Sequence, residues 1–119
     1  MSYKDNGEGT ITDTETDLMW QQQALEKRDW DGAMSYAKGL TIGGHSDWRL
    51  PTIDELKTLV DEERRDPAID PIFTDTKSSC YWSSTTSAGS TSYAWSVYFY
   101  DGYADYGNKT GSFYVRCVR

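Results

Sequence analysis

The feature that most constrains this chain is a change of period near Cys80. Before it, apolar residues recur at the spacing of helix faces. After it, serine, threonine, glycine and seven of the nine tyrosines alternate in the manner of strands. Helical segments followed by a run of strands call for an α+β arrangement.

In the first half, Trp30, Ala33, Met34 and Ala37 share one helix face behind Asp29, a good N-cap, and Gly39 supplies a stop. A second helix start follows Pro51, which blocks any earlier helical hydrogen bond. Thr52 and Glu55 have the spacing of a capping box, and Leu56, Leu59 and Val60 form the stripe behind it. Arg49, between Trp48 and Leu50 in a segment expected to be buried, needs a carboxylate such as Glu55 or Asp54. The charge run Asp61 to Asp66 reads as a solvated helix end, and Pro67 to Phe73 as a connector pinned by Ile69, Ile72 and Phe73. Residues 3–20 read as two short strands around turns, and 21–29 as a polar connection. The Asp5-Asn6-Gly7 turn lacks the later ligands of a helix-loop-helix calcium site, and His45 has no nucleophile beside it in a recognisable motif. Neither points to a metal or a cofactor.

In the second half, Cys80 to Ser84 is a strand. Trp95, Val97 and Phe99 are expected to face the core, with Ser96, Tyr98 and Tyr100 on the other side. Asp101-Gly102 signals a hairpin, returning over Tyr103 to Asn108. In a last strand Phe113, Val115 and Cys117 alternate with Tyr114, Arg116 and Val118. Structural roles fall to Trp48, Arg49, Thr52, Glu55, Trp82, Trp95 and Arg116. Cys80 and Cys117 have no metal-ligand spacing; one bridge or two buried thiols both fit.

The candidate ligand face is Tyr98, Tyr100, Tyr103, Tyr106 and Tyr114, with Asp101, Asp105, Asn108 and Lys109. Flat amphipathic rings beside short polar groups give contact area at low entropic cost. Twelve basic against nineteen acidic residues, a net charge of -7 and no basic run argue against nucleic acid and anionic membranes as partners. No apolar stretch reaches the roughly 20 residues of a membrane span. The opening Met1-Ser2-Tyr3-Lys4 begins no signal peptide, so the expectation is a cytosolic protein or a domain cut from a longer exported chain.

Asp5-Asn6-Gly7-Glu8-Gly9-Thr10, Thr16-Asp17-Leu18-Met19-Trp20, Ser46-Asp47-Trp48-Arg49-Leu50-Pro51-Thr52, Tyr81-Trp82-Ser83-Ser84-Thr85, Ala94-Trp95 and the ending Val115-Arg116-Cys117-Val118-Arg119 resemble the Lcl C-terminal domain family. Parts of them are similar to the wider formylglycine-generating-enzyme-like group. The resemblance implies one C-type lectin-like domain over residues 3–119, two helices flanking twisted antiparallel strands with N- and C-terminal strands paired. It also implies a module of an exported or bacterial surface protein, with an oligomer conceivable, since the family's namesake ends a collagen-like adhesin. That adhesin domain binds sulfated polysaccharides, a ligand class that a charge of -7 does not suit. The Glu-Pro-Asn, Gln-Pro-Asp and Trp-Asn-Asp signatures of calcium-dependent sugar binding are absent.

The function expected is therefore a non-catalytic, adhesion-type module for a glycan or cell-surface protein. Two alternatives belong to the same fold group. One is a retroelement-diversified receptor-binding protein, suggested by the Tyr/Ser/Asp/Asn-rich stretch from Tyr93 to Tyr114. The other is a copper and cysteine oxidase of formylglycine-generating type, which the spacing of Cys80 and Cys117 does not match.

Overall fold

The computed structural model describes residues 2–119. Strands β1 (Tyr3–Gly7), β2 (Thr10–Asp13) and β3 (Met19–Gln21) form an antiparallel sheet in that order. The expectation of two strands here is corrected to three, because Tyr3–Gly7, expected to be a turn at Asp5-Asn6-Gly7, pairs along β2. Asp17, at φ 62°, closes the turn with its N–H on the Asp13 carbonyl and returns Met19–Gln21 along β2. The polar connection of residues 21–29 likewise holds a short strand, β4 (Lys27–Arg28).

Helix α1 (Trp30–Gly39) begins where expected, with Asp29 Oδ1 accepting from the Gly32 N–H at 2.8 Å, and it buries Ala33 and Ala37. A 3-10 turn at Ile42–Gly44 follows. Helix α2 (Ile53–Lys57) carries the full capping box: the Thr52 hydroxyl accepts from Glu55 N–H at 3.2 Å, and Glu55 Oε1 accepts from Thr52 N–H at 2.9 Å. The helix stops at Lys57, so the charge run from Asp61 is a turn-rich loop and not a helix end. Its Asp61 N–H bonds the Ala68 carbonyl. Ile69 and Phe73 pin the connector beyond it.

The second sheet has the order β4-β8-β5-β6-β7, with β5 Cys80–Thr86, β6 Tyr93–Tyr98, β7 Tyr103–Asn108 and β8 Phe113–Tyr114. Strand β8 runs parallel to β5 and antiparallel to β4. The expected alternation of the last strand is corrected, because Val115, Arg116, Cys117 and Val118 are all buried. After β8 this segment crosses to the first sheet, where Met19 and Arg119 exchange backbone hydrogen bonds at 2.9 Å and Val118 pairs with Arg49. A segment covered on both sides has no solvent face to alternate with.

Two apolar clusters lie on the two faces. One gathers Leu56, Leu59, Ile69, Phe73, Tyr81, Val97, Phe99 and Val118. The other gathers Ala33, Ala37, Trp48, Leu50, Trp82, Ala94, Val115 and Cys117. Neighbours Tyr81 and Trp82 fall in different clusters, so α1 and α2 cover opposite faces of the sheet. Trp95 joins neither cluster, which corrects its expected core position; Val97 and Phe99 are buried as expected.

Arg116 crosses between the sheets at 1% exposure. Its guanidinium donates to the Gln22 carbonyl at 3.0 Å and Thr76 Oγ1 at 2.9 Å, and lies 5.0 Å over the Phe73 ring. Burial pulls its pKa down to about 10. Arg49 is exposed, correcting its expected burial, and holds Glu55 in a two-pronged pair at 2.7 and 2.8 Å. That pair holds the Glu55 carboxyl below the usual range.

Candidate functional site

The candidate residues divide according to strand period. Strands β6 and β7 pair without interruption from Tyr93↔Asn108 to Tyr98↔Tyr103. Side chains alternate along each strand, so Tyr98, Tyr103 and Asp105 fall on one face and Trp95 and Tyr106 on the other. Trp95 and Tyr106 meet there with ring centroids 4.2 Å apart.

The tip of this hairpin collects Tyr98, Tyr100, Asp101 and Tyr103. The turn is longer than the expected two residues, because Phe99 and Tyr100 leave the ladder. The Phe99 carbonyl accepts from Ala68 N–H at 2.6 Å and the Tyr100 carbonyl from Asp66 N–H at 2.8 Å. Phe99 is thereby drawn into the core, while Tyr100 stacks on Tyr98 with ring centroids 5.8 Å apart. Gly102, at φ 89°, closes the turn against Val60; a Cβ there would lie 2.5 Å from Val60 Cγ1. Asp101 Oδ1 accepts from Tyr103 N–H at 3.2 Å, which leaves its other oxygen for an outside donor. Tyr103 is 73% exposed, the most open of the large hydrophobic side chains among the described residues.

A groove of about 320 Å³ runs beside the tip, lined by Val60, Glu62, Asp101, Gly102 and Tyr103. A second, of about 560 Å³, shares Val60 and Glu62 and adds Asp61, Glu63 and Asp70. The sequence places Val60 in a helix stripe and Glu62 and Arg65 in a charge run but not at this site, since neither period nor motif ties them to a hairpin about 40 residues on. Arg65 lies 5.3 Å over the Tyr100 ring.

The remaining candidates lie elsewhere. Asn108 and Lys109 sit at the opposite end of β7, about 17 Å from Tyr103 along the strand. There Asn108 Oδ1 accepts from Thr110, and the Lys109 ammonium lies 4.1 Å over Trp30 and donates to Thr86 Oγ1. Tyr114 is half-buried, stacked on Tyr81 at 5.5 Å beneath Lys27. The structural candidates Trp48 and Trp82 are buried, with their indole N–H groups on the Ile42 and Arg28 carbonyls.

Cys80 and Cys117 are free thiols. Burial pushes both up, Cys117 to about 12, so neither is poised as a thiolate. Among the described residues no group of three His, Cys, Asp or Glu side chains is placed to hold a metal ion. No helix among them is long and apolar enough to cross a membrane.

A further cleft of about 230 Å³ lies between α1 and β3, walled by Leu25, Leu40 and Ile42, with Gln21 and Tyr36 inside it. Gln21 donates to the Tyr36 hydroxyl at 3.0 Å and accepts from Cys117 N–H, so its amide is already engaged.

Residues 9–119 match the family model of the Lcl C-terminal domain. No curated protein matches the chain significantly.

Proposed function

We propose that this chain, which belongs to the Lcl C-terminal domain family, is a non-catalytic, adhesion-type binding module. Its ligand face is the tip of the β6–β7 hairpin, and its ligand is a glycan or a cell-surface protein. The observation that carries this reading is the convergence of three exposed tyrosines, Tyr98, Tyr100 and Tyr103, at one hairpin tip beside a groove floored by Gly102. Tyrosine in such a position offers a rigid, two-sided surface, apolar on the ring and polar at the hydroxyl. Single exposed apolar residues are ordinary, whereas a clustered aromatic patch on a fixed turn marks an interaction surface.

The fold we assign within α+β is C-type lectin-like, one domain over residues 3–119. Support comes from the pairing of Met19–Gln21 with the chain's last residues and from helices covering opposite sheet faces. A surface or extracellular setting, as a module of a longer chain, follows from the family and is part of the same proposal. Catalysis is disfavoured by two thiols that burial pushes upward, with no base hydrogen-bonded to either among the described residues.

The test is a glycan array and a capture of labelled cell-surface proteins, run with the native chain and with Tyr98→Ala/Tyr103→Ala. Ligands retained by the native chain and lost by the double variant support the tip. Equal retention by both, with matching thermal unfolding, removes it.

A further inference from the structure

The hairpin tip carries two kinds of group that together select a ligand charge, and the loop after α2 supplies the second kind. Beside Tyr103 lie Glu62 and Asp101 in one groove, and Asp61, Glu63 and Asp70 line the adjoining one. Asp105 follows Tyr103 on its face of the strand. Two arginines share the loop. Arg64 is spent on Asp61 at 3.1 Å, and Arg65 covers the Tyr100 ring at 5.3 Å. Glu62, Glu63, Asp101 and Asp105 have no ion-pair partner among the described residues.

Arg65 is the independent observation that gives this surface a ligand chemistry. A guanidinium from the chain itself already occupies one tyrosine of the patch, in the geometry by which cations bind aromatic faces. Tyr103, next along and more open than Tyr100, carries no such cation among the described residues and has the Asp101 carboxylate at its foot. A ring of the patch is therefore met by a cation once from inside the molecule, at Tyr100, and the ring of Tyr103, with Asp101 beside it, is left open toward solvent.

We infer that the tip docks a basic segment of a protein partner, with an arginine or lysine side chain laid over Tyr103 and its charge shared by Asp101 and Glu62. Resting on the hairpin-tip reading above, this names the partner's chemistry. Arginine fits best, because its planar fork stacks on the ring and reaches two carboxylates together. The chain's net charge of -7 steers such a segment in from a distance. Anionic polysaccharides are repelled by the same carboxylates.

The probe is a fluorescein-labelled octa-arginine peptide, with an octa-glutamate peptide as the opposite charge, followed by anisotropy on the intact chain. Saturable binding of octa-arginine alone is expected, strong at about 0.01 M salt and much reduced at about 0.15 M, where the screening length falls to about 8 Å. Tyr103→Ala should weaken it about two- to fivefold while Tyr103→Phe keeps it, since the ring face and not the hydroxyl holds the cation. Glu62→Gln/Asp101→Asn should weaken it by more than Glu26→Gln/Asp31→Asn, which removes the same charge beside β4 and α1. Asparagine at position 101 keeps the oxygen that accepts from Tyr103 N–H, so the turn survives the test.

Absence of saturable binding overturns the proposal. So does equal weakening by the two charge-neutralised variants, which would mark diffuse attraction to an acidic chain. If octa-arginine fails to bind while Tyr98→Ala/Tyr103→Ala still abolishes capture in the array or surface-protein screen, the basic partner is wrong and the hairpin tip is right.

Discussion

Arg116 is a fully buried cation whose hydrogen bonds end on backbone carbonyls of Gln21 and Gln22 and on Thr76, with two aromatic rings stacked about it. Among the described residues no carboxylate pairs with it, so its charge is held by oriented dipoles and ring faces. Replacement by methionine fills similar space and leaves those carbonyls without a donor. Arg116→Met is expected to cost about 2–4 kcal/mol in urea unfolding; a loss under about 0.5 kcal/mol would mean that the network is not needed.

Cys117 gives the residue-scale pH dependence. With its thiol pushed up to about 12, the folded chain keeps a proton that the unfolded chain begins to release near pH 9. Stability from this group is complete below pH 9 and falls as pH rises, by up to about 1.4 kcal/mol per unit. Cys80 is shifted in the same direction. Urea midpoints measured under reducing conditions should fall between pH 8.5 and 10, and Cys117→Ala should flatten that fall. A slope unchanged by the substitution would contradict the assignment. Arg116, shifted down, works in the opposite sense only from about pH 10 upward.

The elements divide by how local their determinants are. Helix α1, the capping box of α2 and strand β7 were legible because caps, stripes and alternation act within a few residues. The Arg49–Glu55 pair was legible for the same reason, although Arg49 itself proved exposed. Strand β1 was hidden because its Asp5-Asn6-Gly7 reads as a turn, and the two-sided burial of residues 115–118 by a partner sheet almost a full chain length away. The candidate site was legible as composition but not as a place. Tyr98, Tyr103 and Tyr106 look equivalent in sequence, and only an uninterrupted register puts the third behind the sheet beside Trp95. Tyr114 looked like another surface ring until β8 placed it half-buried, stacked against Tyr81.

Two substitutions test the element-scale account by thermal or urea unfolding. Thr52→Ala removes the acceptor for Glu55 N–H and should cost about 1 kcal/mol. Gly107→Ala should cost more, about 1–3 kcal/mol, because the new Cβ would lie 2.2 Å from Phe113 Cε2 and 3.1 Å from Trp82 Cη2. Rings must pass directly over β7 at that position. A neutral Gly107→Ala would show that Phe113 swings aside at no cost.

At the scale of the whole molecule, the C-terminal segment joins two sheets that share few other backbone bonds. Val115 N–H bonds the Glu26 carbonyl, Gln21 N–H bonds the Cys117 carbonyl, and Val118 pairs with Arg49 in both directions. Removing Cys117–Arg119 therefore strips β3 and Arg49 of partners together and should abolish the cooperative transition. Anchored in this way, the molecule holds the β6–β7 hairpin rigidly: Phe99 is buried, Gly102 rests on Val60, and Tyr98, Tyr100 and Tyr103 are left outside. We propose that this tip, and not the rest of the tyrosine-rich strands, is the ligand face.

An alanine scan over Tyr98, Tyr100, Asp101, Tyr103, Tyr106, Asn108 and Lys109 tests it most directly, read as retention on whichever glycan or surface protein the native chain captures. Losses of about tenfold or more are predicted at Tyr98 and Tyr103, and smaller ones at Tyr100 and Asp101. Near-native retention is predicted at Tyr106, Asn108 and Lys109. Losses concentrated at Tyr106 or Lys109, with the tip variants unaffected, would place the ligand on the opposite face or the far end of the hairpin and contradict the account.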